Sequence, residues 1–221
     1  MKQSTYDTPY SKAVEYMYDG WASSYHRINE FTSYTADEVV AETARECAPA
    51  FVGGILDLAT GTGFVLTRLR TSFNGAALTG LDLSGGMLCE AHGKIGGARL
   101  EQCNIETQQW PVPARSVDLV TCAGALSMIG NMDHVMDECR RVMAPGAAAV
   151  MSFQIRTDFM KGMAAMQMAA CGFPTFRRNE KEMAGIVRDA GFEMLRPVRT
   201  FTGYKGPTFS ETHGVIAFKK N

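Results

Sequence analysis

Residues 52–59 form a short apolar run that ends in Thr60-Gly61-Thr62-Gly63 and passes straight into a helical pattern at 63–70. A strand that breaks on glycine and restarts as a helix is the opening of a parallel α/β unit. The alternation continues along the chain. Apolar runs at 76–83, 99–104, 117–123 and 147–155 alternate with helical patterns at 84–95, with Ser84 as cap, and at 131–143, stopped by Pro145-Gly146. A helical pattern at 179–190 stops at Gly191, and two last runs follow at 192–201 and 215–218. Ahead of them, 35–48 reads as a helix with Thr35 as a candidate N-cap and Glu38 three residues on. The predicted fold is therefore α/β, with a mostly parallel, doubly wound sheet covered on both faces. Such sheets bind ligands beyond the carboxyl ends of their strands.

The glycine turn narrows the ligand. The third glycine of a dinucleotide fingerprint is absent, since Gly61-x-Gly63 leads to Leu66. Asp57 ends the strand before the turn, where a carboxylate repels a diphosphate and suits a ligand carrying positive charge. Asp82 ends the next strand in Leu81-Asp82-Leu83-Ser84, where a carboxylate can accept both hydroxyls of a ribose. A ligand with a ribose, a cationic group and no phosphate fits, and S-adenosylmethionine is the common one. The alternative is a structural turn with two solvated aspartates.

With these motifs the chain resembles the class I S-adenosylmethionine-dependent methyltransferases, in particular the small-molecule subgroup typified by the ubiquinone and menaquinone biosynthesis enzymes. Further matches are Gln102-Cys103-Asn104-Ile105-Glu106, Trp110-Pro111-Val112-Pro113, Ser116-Val117-Asp118-Leu119-Val120, Arg141-Val142-Met143-Ala144-Pro145-Gly146 and Tyr18-Asp19-Gly20-Trp21-Ala22-Ser23-Ser24-Tyr25. The resemblance implies a Rossmann-like, seven-stranded sheet with an antiparallel last strand, preceded by an N-terminal lid segment (1–34) on one methyltransferase domain (35–221). It also implies that Asp57 and the backbone around Ala59, Thr60, Gly61 and Gly63 hold the methionine moiety. Asp82 would take the ribose, with Leu83 and Met87 on the adenine and Asn104 and Ile105 at its edge, where the family more often has aspartate in place of Asn104. Ala123 would lie near the sulfonium, and Tyr18 and Tyr25 on a lid helix.

Methyl transfer needs the nucleophile, methyl carbon and sulfur nearly collinear, and freezing that geometry is worth up to ~7–11 kcal/mol. A hydroxyl acceptor would also benefit from a general base. The family often has histidine past the fourth strand, but this chain has Ser127-Met128 there. His213 and His26 rank first among the four histidines. An enzyme that only positions an amine or carbon acceptor fits the residues equally. The tyrosine-rich segment 1–34 (Tyr6, Tyr10, Tyr16, Tyr18, Tyr25 and Tyr34), Met128, Met151, Phe153, Met163 and Phe173 are candidate pocket residues, and the apolar content of 156–178 points to a hydrophobic or aromatic acceptor.

Twenty-two basic residues against 23 acidic give a net charge of −1, so no bulk field draws in nucleic acid or a membrane surface. The six cysteines lack metal or redox spacing and read as reduced thiols of a cytoplasmic protein, monomer or homodimer. No metal site, signal peptide or membrane-length apolar run is expected. Two other readings remain: a nicotinamide-dependent oxidoreductase, and a protein of the same fold that binds the cofactor without methylating.

Overall fold

The apolar runs become strands of one sheet. A computed structural model describes residues 9–31, 33–155, 176–205 and 210–221. The strands are β1 (Gly54–Leu58), β2 (Ala77–Asp82), β3 (Arg99–Gln102), β4 (Val117–Cys122), β5 (Met143–Gln154), β6 (Glu193–Met194), β7 (Arg199–Lys205) and β8 (Ser210–Lys219). Their order is β3-β2-β1-β4-β5-β8-β6, with β7 also on β8. The first five are parallel and β8 runs antiparallel to β5, as the resemblance implies.

The eighth segment has a local cause. β6 and β7 lie end to end along β8, where the sequence predicts one strand over 192–201. Pro197 sits between them, and without an N–H it cannot donate to the ladder. Pro145-Gly146 also acts differently from expectation. The preceding helix has already ended at Val142, and the pair lies inside β5, where the register to β4 shifts and Gly146 adopts φ +78°.

The helices are α1 (Pro9–Trp21), α2 (Tyr25–Phe31), α3 (Ala36–Cys47), α4 (Phe64–Ser72), α5 (Gly85–Lys94), α6 (Met132–Val142) and α7 (Glu180–Asp189). Strand alternation sends Ile55, Leu119, Val150 and Val215 to one face, where they pack on Val40 and Ala44 of α3 and Val65 and Leu69 of α4. Leu56, Leu58, Val120, Met151 and Phe153 face the other way, onto Val135 and Met136 of α6 and Met183 and Val187 of α7. Ser84 caps α5 as expected, its hydroxyl accepting from the Met87 N–H at 3.0 Å. Thr35 does not cap α3 with its side chain: its hydroxyl donates to the Thr202 carbonyl at 2.7 Å, which fastens the start of α3 to β7.

Candidate functional site

The sheet parity that packs the core also sets the site. Asp57 is on the same face as Ile55 and pairs in register with Thr121 of β4. Its Oδ1 accepts from the Thr121 hydroxyl at 2.6 Å and its Oδ2 from the Thr60 hydroxyl at 2.7 Å. Burial pushes its carboxyl up to about 7. Asp82 ends β2 on that same face. Its Oδ2 accepts the Gly61 N–H at 2.7 Å and its Oδ1 the Ser84 N–H at 2.9 Å. Burial holds it up at about 6 against the opposing pull of these N–H donors. One carboxylate thus clamps the glycine turn to the start of α5.

The turn itself needs left-handed backbone. Ala59, Gly61 and Gly63 take φ of +50°, +54° and +79°. A Cβ on Gly61 would meet nothing within 4 Å, because that face opens into the cavity. A Cβ on Gly63 would lie 2.2 Å from Ile95 Cδ1, so this glycine serves the close packing of α4 on α5.

An open cavity of about 120 Å³ lies beyond the carboxyl ends of β1, β2, β3 and β4. Its walls bring together Tyr18, Tyr25, Ala59, Gly61, Asp82, Leu83, Met87, Asn104, Ile105 and Ala123, all expected from the sequence. Asp57 and Thr60 line a smaller adjoining cavity instead, and Gly63 lines neither. Asn104 Oδ1 accepts the Glu106 N–H at 3.1 Å, so its carbonyl oxygen is used within the loop.

α1 roofs the cavity with Tyr10, Ser11, Val14 and Tyr18. Asp19 Oδ1 accepts both the Ser84 hydroxyl and the Gly86 N–H, and Gln102 Nε2 donates to Glu15, so α1 is fastened to the β2–α5 turn. Tyr18 stacks edge-on against Tyr25 and Trp21. Burial, with the charge of Asp82, pushes its phenol up to about 12. At the far end, Glu106 Oε1 accepts the N–H groups of Gly130 and Asn131, tying the β3 loop to the turn after β4. Arg178 donates to the Leu126 and Ile129 carbonyls below that turn.

Neither candidate histidine lines the cavity. His26 is exposed on α2 and sits 3.3 Å from Glu30 one turn along, as helical i,i+4 spacing dictates. His213 stands near the start of β8, as expected, but strand parity turns it onto the α3 face. It is fully buried there among Tyr34, Phe201 and Gly203, 3.7 Å from Glu211. Met128 does line the cavity, whereas Met151 and Phe153 are core. Met163, Phe173 and most of 156–178 lie outside the described residues. Tyr10, of the tyrosine-rich N-terminal segment, lines the cavity as expected; sequence reasoning missed Cys103, Glu106 and Ile129. Among the described residues, no group of three His, Cys, Asp or Glu can hold a metal, and no helix is long and apolar enough to cross a membrane.

The residues fit an adenosyl sulfonium. Asp82 stands at the wall with lone pairs left for a diol, and Leu83, Met87 and Ile105 form an apolar slot for a flat ring. Acidic groups, Asp57 among them, stand at the end where a cation would lie.

Comparison with known proteins gives the same picture. Residues 55–146 match a family model described as a methyltransferase domain. A ubiquinone/menaquinone biosynthesis C-methyltransferase UbiE of Desulfotalea psychrophila is 30% identical over 142 residues, which is 62% of this chain and 56% of that protein. A demethylmenaquinone methyltransferase of Thermus thermophilus is 32% identical over 140 residues, 61% of this chain and 62% of that protein. The chain thus spans little more than half the length of these curated relatives. Among solved structures, a SAM-dependent methyltransferase of Thermotoga maritima superposes with TM-score 0.70 at 15% identity, covering 94% of this chain and 99% of that one. The [4+2]-cyclase SpnF superposes with TM-score 0.75 at 16% identity, covering 96% and 97%.

Proposed function

We propose that residues 55–146, which match a methyltransferase-domain model, form a class I, S-adenosylmethionine-dependent methyltransferase domain resembling that of UbiE, and that the chain methylates a small hydrophobic or aromatic metabolite. The observation that carries the reading is the cavity at the strand ends, with Asp82 in its wall and an apolar far end of Val14, Met128 and Ile129. The cofactor supplies a methyl group already activated on sulfur. Asp82 holds the ribose; Leu83, Met87, Asn104 and Ile105 enclose the adenine. The backbone of Ala59, Thr60 and Gly61, with Asp57 behind it, takes the methionine end, and Ala123 lies by the sulfonium. Gly63 acts by fixing the turn. Tyr18 and Tyr25, on the lid segment 1–34, close the site against water.

The acceptor docks between α1 and the turn after β4. An acceptor resembling a quinone precursor suits that apolar end, and the quinone-pathway relatives support the same class. No imidazole reaches the cavity among the described residues, so we assign the rate to alignment rather than to His26 or His213. The net charge of −1 favours a small molecule over nucleic acid, and the five described cysteines are free thiols, which suits the cytoplasm.

The test is calorimetric titration of wild type and Asp82→Ala with S-adenosylmethionine, S-adenosylhomocysteine and NADH. Micromolar binding of the first two, lost in the variant, supports the reading; binding of NADH alone refutes it. An acceptor panel read by S-adenosylhomocysteine release follows. Binding without release on any acceptor would favour a non-methylating role, such as that of the cyclase with the same fold.

A further inference from the structure

A second, narrow cavity of about 30 Å³ adjoins the first and shares Tyr25, Ala59, Gly61 and Ala123 with it. Two carboxyl groups from unrelated parts of the chain face it: Asp57 from the end of β1 and Asp37 from the first turn of α3. Their situations differ. Both oxygens of Asp57 already accept a threonine hydroxyl. Among the described residues Asp37 has no hydrogen-bond donor, only the charges of Asp57, Arg68 and Glu38 around it. Arg68 is directed elsewhere, ion-paired with Glu38 and lying 4.5 Å over the Phe64 ring. The pocket therefore has a surplus of negative charge with one carboxylate free to receive a ligand.

We propose that Asp37 binds the α-ammonium group of the cofactor's amino-acid tail, which passes Gly61 from the ribose at Asp82 into this smaller cavity. The inference rests on the cavity being the S-adenosylmethionine site. Gly61 is the right gate, because it lines both cavities and its missing Cβ leaves the passage open. The electrostatics agree: burial and the neighbouring Asp57 push the Asp37 carboxyl up to about 7, and a fixed cation between the two aspartates would reverse that. Asp57 then acts at one remove, holding the turn through Thr60 while adding its field. The position of Asp37 depends on α3 being fastened to β7 through Thr35, whose N–H donates to the Gly203 carbonyl and whose hydroxyl donates to the Thr202 carbonyl.

The test compares three nucleosides on wild type, Asp37→Asn and Asp37→Ala by calorimetry. S-adenosylhomocysteine carries ammonium and carboxylate, its decarboxylated form keeps only the amine, and 5′-methylthioadenosine has neither. Loss of a charge-assisted bond should weaken the first two by about 10- to 100-fold in both variants. Methylthioadenosine should change by less than about 2-fold. Melting of the ligand-free variants at or above wild type would show that the fold is intact. Equal weakening of all three nucleosides, or no weakening of the two amines, overturns the assignment. If wild type binds none of the three, the reading of the cavity fails, and the assignment with it. That outcome is distinct from a wild type that binds and a variant that binds as well.

Discussion

Gly61 and Gly63 stand two residues apart in one motif, yet the structure gives them opposite uses, and alanine at each should separate the two. At Gly63, alanine must hold φ +79° and place Cβ 2.2 Å from Ile95 Cδ1 and 3.2 Å from Ala91 Cβ. Ordinary carbon contacts are ~3.5–4 Å, so Ile95 has to retreat by about 1 Å or more. Ile95 is fully buried, where side chains pack closely. Left-handed strain contributes ~1–2 kcal/mol and overpacking ~1–3 kcal/mol, less ~0.4–1 kcal/mol from the stiffer unfolded chain. The net cost is ~1–5 kcal/mol, or a melting point lower by about 2–20 °C for a chain of this size. At Gly61 the strain term remains, but the new methyl meets no protein atom. Its cost is ~1 kcal/mol, and the methyl instead occupies the ligand's side of the turn. Gly61→Ala should bind S-adenosylhomocysteine at least about 10-fold more weakly while melting near wild type. Gly63→Ala should melt early yet, measured where it is folded, keep its affinity within about 3-fold. Thermal unfolding by circular dichroism and calorimetry at 15–20 °C read both. A Gly63→Ala protein that melts with wild type, or a Gly61→Ala protein that binds like it, would refute the division.

Two further outcomes follow from the carboxylates. Asp37, Asp57 and Asp82 all sit above their ordinary value of 3.8, at about 7, 7 and 6. A raised folded value means the native state prefers the proton. Their contribution is thus fully present below about pH 3.8 and is lost as pH rises through 6–7. Urea unfolding of the ligand-free protein should show this loss between about pH 4 and 7, at up to ~1.4 kcal/mol per pH unit for each group, and level off above. Asp37→Asn should flatten the profile by one group's share, and an unchanged slope would count against its raised value. Asp19→Ala removes the acceptor shared by the Ser84 hydroxyl and the Gly86 N–H. A loss of ~0.5–2 kcal/mol at that helix start is expected, with faster hydrogen exchange across Pro9–Trp21 and weaker S-adenosylhomocysteine binding. Unaltered exchange there would show that α1 is held by other contacts.

What the sequence revealed, and what it hid, divides along the length of the contacts involved. The end of the cavity proposed for the cofactor is built from short segments, 57–63, 82–87 and 103–105, each a strand end plus the turn after it. Their backbone demands appear as glycine, aspartate and serine at fixed offsets, so the cavity walls were legible. Asp57 was legible as an acidic strand end, but its partner Thr121 lies 64 residues away and is set by β1–β4 register. Asp37 gave no signal, because its place depends on a Thr35–Thr202 bond spanning 167 residues. His213 shows the same limit from the other side. Its strand was expected to start at the ligand face, and it does begin opposite the carboxyl end of β5, but side-chain parity on β8 depends on a register that pairs His213 with Gln154. The acceptor end is the extreme case. Tyr10 on α1 bonds to the Met128 carbonyl across 118 residues, and Arg178 reaches back to Leu126 and Ile129. On the function proposed above, local sequence thus specifies the binding of the methyl donor, while long-range packing specifies that of its recipient. On that reading the same asymmetry lets one fold serve unrelated acceptors: the cofactor half is encoded in local turns, and the acceptor half is set by how α1 and the turn after β4 meet.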